Sequence, residues 1–544
     1  MNSRKIAAVM LGLMTIGNTS FAAQALEDHS QQAQELTKSA AKQAVENKTP
    51  ISLAQESIRF HVASLSVDSE VKIPTKVIRS ATKDFQNKEI VLSDLNRVTD
   101  ALTNYARSHG TPAATAYVPA QASADGVIKI KVTAGRVGKV NLDDKSRLRE
   151  SAAKTVMARL KPGEILTTKD IETVLYTINQ LGGVQAVGLL SPGKAFGTSD
   201  VTIRIREGKD DSFMLYTENY GSKAAGRYRI GAIYNRAQMN GTGDSMQLSG
   251  LWSNENLHNY GVRYQTLAGH SGSIVGLAAS RMTYDLGDAF SNLDATGKAN
   301  TYSAFGKTPF YTTTNGGLGV TYGVDYRELE DEIDSYGYDA EKEAWIYHLG
   351  LEGYRRIGKS LWNYGATGYQ GRLSLESDTA RMLNEYAHTS GNFTKGIYNL
   401  RYQQDYDKHW DSVLKVQAQQ AGRNLDSSEQ MYLGGISGVR AYPQGTGSGD
   451  AGYLGTFELR YHPNVRHLTL STYLDTGHVK ARKDGQYGDT GYTMKGWGLG
   501  VTYAEPADYF LRLDYARRIG YEDNLSDSSA KDKGRFWFLA GKVW

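Results

Sequence analysis

From about residue 211 to the C-terminus the chain builds no long apolar run, yet apolar and polar residues alternate in segment after segment. Tyr228, Ile230, Ala232 and Tyr234 share one face of an extended strand; Arg229, Gly231 and Asn235 share the other, with Ile233 the exception. Met246, Leu248 and Trp252 stand likewise against Gln247, Ser249 and Ser253. Successive strand side chains point to opposite faces, so each segment has one oily side and one wet side. A long series of such strands hides its oily sides either between two packed sheets or around the outside of a closed ring set in lipid.

The connections choose between these architectures. Strands are expected at 211–220, 226–236, 244–254, 258–268, 272–284, 300–312, 316–327 and 343–354. They continue at 360–374, 390–405, 411–422, 453–461, 466–477, 491–504, 509–518 and 534–544. Every second connection tends to be short, as in Arg355-Arg356-Ile357-Gly358 and Glu505-Pro506-Ala507-Asp508. The others include long polar loops at 285–299, 328–342, 376–389, 422–452 and 520–533. A sandwich has no reason for that asymmetry, whereas an outer-membrane barrel has it by construction. The expectation is a mainly β chain ending in a sixteen-stranded antiparallel transmembrane barrel over 209–544.

The N-terminus agrees with export. Arg4 and Lys5 precede a short apolar stretch from Ile6 to Ile16, and small residues at Ser20-Phe21-Ala22 or Ala23-Gln24-Ala25 suit cleavage. Residues 1–22 therefore read as a signal peptide. No window of about twenty apolar residues exists for a transmembrane helix, and the absence of cysteine rules out disulfides and thiolate chemistry. A net charge of +4 over 544 residues gives no case for a nucleic-acid partner. Residues 23–47 are rich in Ala and Gln, without Pro or Gly, and form a candidate helix; 48–56 is a linker.

Two similar segments follow. In the first, 57–135, a strand at 58–67 leads to helices at 74–85 and 92–108, then strands at 114–118 and 127–132, with Gly110 closing the second helix. The second, 136–208, repeats the order at 138–142, 148–160, 168–181, 184–190 and 201–206. This is a tandem α+β repeat.

The strand 466–477 puts Thr469, Ser471, Tyr473 and Asp475 on one face, and Leu468, Leu470 and Leu474 on the other. With the aliphatic face in lipid, Asp475 enters the lumen, where a carboxylate requires a cation. Glu458 and Arg460 face inward by the same rule. Gly496, Gly498 and Gly500 alternate with Trp497, Leu499 and Val501; close approach of another segment and barrel curvature are both open readings.

The longest loop reads Gly434-Gly435-Ile436-Ser437-Gly438-Val439-Arg440-Ala441-Tyr442-Pro443, and further on the chain reads Tyr473-Leu474-Asp475-Thr476-Gly477. Here the sequence resembles the outer-membrane translocators of two-partner secretion, the haemolysin and haemagglutinin exporters. Val439-Arg440-Ala441-Tyr442 is similar to that family's Val-Arg-Gly-Tyr signature, with Ala441 replacing glycine, and the second run to its aromatic-x-Asp-x-Gly signature. Tyr117-Val118-Pro119-Ala120-Gln121 and Gly197-Thr198-Ser199-Asp200-Val201 resemble its paired periplasmic POTRA domains.

The resemblance implies that the long loop folds into the barrel and that Arg440 meets Asp475, with Val439, Tyr442, Gly477 and Glu458 around them. It implies that the helix at 23–47 plugs the pore. It also implies that POTRA strand edges, at Ala114, Tyr117 and Val118 and at Val184, Val187 and Leu190, pair with an unfolded, large secreted partner protein. The expected function is export of that partner by a monomer in the outer membrane, with the POTRA domains in the periplasm. A barrel-assembly factor and a passive porin are the alternatives. No catalytic residue, metal, cofactor or nucleotide is expected: the eleven histidines are scattered, and Gly445, Gly447 and Gly449 lie in a loop rather than between a strand and a helix.

Overall fold

The structure is a computed structural model that describes residues 45–47, 59–121, 125–269, 272–484, 491–520 and 533–544. The expected signal peptide and linker, and residues 23–44 of the expected helix, lie outside the described residues. The end of that helix is corrected. Val45–Asn47 is a strand, β1, held by backbone pairing rather than by helical hydrogen bonds.

The first α+β unit contains β2 (Arg59–Val62), β3 (Ser64–Ser69), α1 (Thr75–Thr82), β4 (Lys88–Val91), α2 (Leu92–Ser108), β5 (Thr115–Tyr117) and β6 (Val127–Thr133). Asp94 accepts the Val91 backbone N–H at 3.1 Å and so caps the start of α2. Leu95, Val98, Leu102 and Ala106 form one buried stripe along it, and Gly110 beyond its end takes the positive φ of 102° that glycine tolerates. The second unit contains β7 (Arg136–Lys145), α3 (Glu150–Met157), α4 (Thr168–Gln180), β8 (Val184–Pro192) and β9 (Thr198–Glu207). Apart from a separate β2–β4 pair in the first, the two units share the arrangement of their three main strands. Each last strand is central, parallel to the first strand (β6 to β3, β9 to β7) and antiparallel to the intervening one (β5, β8).

The ring that follows begins with β10 (Asp211–Glu218), β11 (Arg229–Ala237), β12 (Ser245–Ser253), β13 (His258–Ala268) and β14 (Ser273–Asp285). It continues through β15 (Ala295–Thr313), β16 (Gly316–Ile333), β17 (Tyr338–Ile357), β18 (Ser360–Leu375), β19 (Gly391–Asp405) and β20 (Trp410–Ala421). Two short strands, β21 (Met431–Tyr432) and β22 (Ser448–Gly449), pair inside the long loop. The ring ends with β23 (Ala451–Tyr461), β24 (Leu468–Lys480), β25 (Gly491–Ala504), β26 (Tyr509–Arg518) and β27 (Gly534–Val543). β27 pairs back onto β10, closing a sixteen-stranded antiparallel barrel.

In the first unit the strand expected at 58–67 is split into β2 and β3, with β2 paired to β4, a strand that was not expected. Each expected barrel strand has its counterpart, and β15, β16 and β17 run furthest past their expected ends. β15, β16 and β17 carry the ladder through residues read as loops, because outward acids such as Glu330 pair with Lys298 at 2.7 Å there. Between β18 and β19 the expected loop holds a helix, α5 (Asp378–Ala387).

Side chains sort by parity. Leu470, Leu474, Leu499 and Val501 are exposed on the outer face, while Tyr473, Asp475 and Asp514 are buried inside. Inside the wall, aromatic rings lie over glycines directly opposite them: Tyr216 over Gly231, Tyr284 over Gly297, Tyr473 over Gly498 and Phe510 over Gly541. The second α+β unit docks at the short-turn end. Glu172 on α4 accepts the Thr314 backbone N–H at 2.9 Å, Thr173 accepts that of Thr312 at 3.1 Å, and Arg159 donates to the Phe310 carbonyl at 2.7 Å.

Leu102→Ala removes the centre of the α2 stripe and is expected to destabilise the first unit by about 2–5 kcal/mol. Hydrogen exchange of the α2 amides should accelerate accordingly while the barrel amides keep their protection.

Candidate functional site: a loop seated inside the barrel

The loop from β20 to β23 turns inward instead of projecting outward. Leu433, Val439, Ala441 and Tyr442 are buried, as is Arg440 at 4 % exposure. The structure brings Arg440 and Asp475 together as a bidentate pair: Nε donates to Oδ2 at 2.9 Å and Nη2 to Oδ1 at 2.8 Å. The Arg440 backbone N–H adds a bond to Oδ2 at 3.1 Å, and Thr456 donates to Oδ1 at 3.0 Å.

Nη1 lies 3.4 Å from both Glu458 Oε2 and Asp514 Oδ1, and the guanidinium carbon sits 3.1 Å from the Tyr473 ring centroid. Arg460 donates to Glu458 at 2.8 Å and Arg512 to Asp514 at 2.6 Å. Three carboxylates therefore face three guanidiniums, a balance that lets the group stay ionised out of bulk water.

The neighbouring positions explain the rest of the two signatures. A Cβ on Gly477 would come within 2.7 Å of Leu433, and one on Gly496 within 2.7 Å of the Ala441 methyl, so both glycines admit the loop. Gly498 and Gly500 serve differently: they face Tyr473 and the pair Ser471–Asp514. Ala441 does not take a positive φ; the turn tolerates its methyl because Gly496 leaves room. Tyr442 stacks under Arg518, whose guanidinium carbon is 4.6 Å from the ring centroid, and Arg518 also donates to the Ala441 carbonyl at 3.2 Å.

Sequence reasoning missed three partners. Asp514 alternates with Leu511, Leu513 and Tyr515, so the parity that turned Asp475 inward applied to it as well. Trp537 donates to the Arg440 carbonyl at 2.7 Å, a role with no local signal. Parity places Tyr473 on the inner face beside Asp475, but its position under the guanidinium was not foreseen.

The expected recognition edges divide. β5 is the edge of its sheet, and Tyr117 on it meets Phe196 edge-on at 5.0 Å. Val118 packs partly against the core of the first unit. Ala114 is not on the strand: it is a buried residue preceding it, whose carbonyl takes a bond from Arg107. Val184 and Leu190 on β8 are core residues, and Val187 is half-buried. The outer side of β8 is taken by β1, which pairs parallel to it at Gly188, Leu189 and Leu190. Among the described residues no group of three or more His, Cys, Asp and Glu could hold a metal ion.

Asp475→Asn removes the bidentate carboxylate and leaves Arg440 only the longer contacts to Glu458 and Asp514, and it is expected to weaken the seat by about 2–3 kcal/mol. Trypsin cleavage after Arg440 should accelerate correspondingly. Gly496→Ala should show the same direction of change, and adding Ala441→Gly should reverse part of it, because the two methyl groups compete for one space.

Residues 197–503, more than half of the chain, match the family described as haemolysin secretion/activation protein ShlB/FhaC/HecB, and residues 60–135 match the ShlB-type POTRA domain. The heme/hemopexin transporter protein HuxB of Haemophilus influenzae is 26 % identical over 491 residues, covering 87 % of this chain and 85 % of HuxB. The outer membrane transporter CdiB of Escherichia coli is 22 % identical over 482 residues, covering 85 % and 80 %. The solved structure of CdiB from Escherichia coli superposes with a TM-score of 0.72 at 19 % identity, covering 96 % of this chain and 98 % of that one. BamA from Haemophilus ducreyi, lacking POTRA domains 1–3, reaches 0.51 at 14 % identity, covering 89 % and 100 %, which shows a shared fold only. The chain thus belongs to the haemolysin secretion/activation family, the outer-membrane β-barrel transporters of two-partner secretion.

Proposed function

We propose that this transporter captures one large, unfolded partner protein at the strand edges of its periplasmic units and passes it through the barrel as the Arg440 loop leaves its seat. The observation that carries the reading is the combination of a loop ion-paired inside the lumen with the second α+β unit docked at the short-turn end of the same barrel. The edge strand β5 offers main-chain hydrogen bonds without demanding a particular sequence once an arriving strand takes the place of the Thr103 hydroxyl, which now accepts the Ala116 N–H at 2.9 Å. At β8 an arriving strand has to displace β1 before it pairs. Arg440 and Asp475 act as the fastening of the loop, with Glu458 balancing the charge and Val439, Tyr442 and Gly477 shaping the fit.

The barrel works as a monomer, its belt of Leu470, Leu474, Leu499 and Val501 against lipid. No covalent step is involved. The heme/hemopexin association belongs to HuxB and says nothing of the cargo here. Export is favoured over barrel assembly by the family match across residues 197–503.

The purified chain in detergent is expected to retain the amino-terminal export region of a candidate large secreted partner, and deletion of residues 59–207 should abolish retention while the barrel still inserts. Glu46→Pro, which breaks the β1–β8 pairing, should tighten retention severalfold; unchanged binding in both variants would place recognition elsewhere. Leu474→Arg, on the outer belt, is expected to cost about 2–4 kcal/mol and to reduce the folded, heat-modifiable barrel in outer-membrane fractions.

A further inference from the structure

A cavity of about 560 Å³ occupies the periplasmic half of the lumen. It runs from Gln180 at the end of α4, past Glu352, Asn363, Arg401 and Lys415, to Ser437 of the inserted loop. Its wall is mainly the inner face of β15 to β20, where glycine, threonine and asparagine keep the surface low. It has the character of a conduit: lined by polar and apolar groups together, shallow-walled and starting beside the periplasmic unit.

The same strands, followed toward the cell exterior, do not stay open. The next inward residues are covered by the stem of the inserted loop, residues 425–430. Leu425 packs with Ile346, Leu373, Phe393 and Ala421 of β17 to β20. Glu429, only 3 % exposed, receives Arg327 at 2.6 Å from β16 and Lys395 at 2.7 Å from β19. Its carbonyl takes further bonds from Lys395 at 3.2 Å and from Gln419 at 3.0 Å. Asp426 receives Lys342 of β17 at 3.0 Å. The Arg440 seat stands on a different stretch of wall, on β23, β24, β26 and β27.

We propose that the ion-paired stem, Asp426 and Glu429 held by Arg327, Lys342 and Lys395, is the gate that shuts the cavity above β15 to β20 from the cell exterior. The inserted loop is then fastened twice, on two sides of the ring, and the conduit opens only when the stem leaves its cations. Arg327, Lys342 and Lys395 are positioning residues, since they act on the passage through the stem. The proposal rests on the reading that the passenger travels through the lumen.

The chain contains no cysteine, so Lys415→Cys places a single thiol inside the cavity. Intact cells carrying this variant are treated with a membrane-impermeant maleimide, a measurement that needs no passenger and leaves the export reading standing if the gate proposal fails. With the stem intact, the introduced thiol should label slowly. Adding Glu429→Gln, or in a separate chain Lys342→Met, should raise the labelling rate about tenfold or more, since each leaves a buried charge without its partner. Heat-modifiable migration checks that each barrel is folded, and either stem variant suffices if the other fails to fold. Fast labelling with the stem intact, or no rise in a folded stem variant, overturns the proposal. Arg440→Ala is the comparison: labelling there as fast as in Glu429→Gln puts the gate at the loop tip and overturns it as well.

Discussion

The whole molecule depends on the closure of one hydrogen-bonded ring. Residues 214–218 of the first barrel strand pair with 539–543 of the last, so the sheet has no free edge to leave backbone donors and acceptors unsatisfied in a hydrocarbon environment. Only once the ring is closed does the two-residue period of the sequence acquire an inside and an outside. Leu470, Leu474, Leu499 and Val501 then fall outward, and Tyr473, Asp475 and Asp514 fall inward, by the parity of the strand alone.

What closure creates is an interior where charge is costly unless matched. The inserted loop exploits this at both of its ends. At the tip it supplies a cation, Arg440, to a wall that carries the acids. At the stem it supplies acids, Asp426 and Glu429, to a wall that carries the cations. One segment thus neutralises two patches of opposite sign, and the lumen it fills is compact because the loop is there.

The strand positions, the tandem α+β units and the inward aspect of Asp475 were legible because they follow from periodicity alone. The Arg440 partnership was not legible in that way: it spans residues 440 and 475, and only the resemblance of both runs to a known pair suggested it. The extended ends of β15 to β17 were hidden because acids and cations on both faces erase the apolar alternation. The stem acids were invisible for a similar reason, since Asp426 and Glu429 sit in a polar stretch indistinguishable from a solvated loop. Ala114, Val184 and Leu190 misled because apolar residues near a sheet edge were read as its surface when they belong to the core beneath it. β1 was read as helix from its composition, and a strand partner brought by the fold overrode that propensity.

The pairing of rings with glycines inside the wall gives the composition its meaning. The chain holds 58 glycines and 35 tyrosines, and the inward rings of Tyr216, Tyr284, Tyr473 and Phe510 each occupy the space above a glycine on the adjacent strand that a Cβ would take. A ring laid down like a tile adds stiffness and shields the bare backbone, yet takes almost nothing from the bore. A barrel lined this way can be sturdy and still wide enough for something the size of a polypeptide.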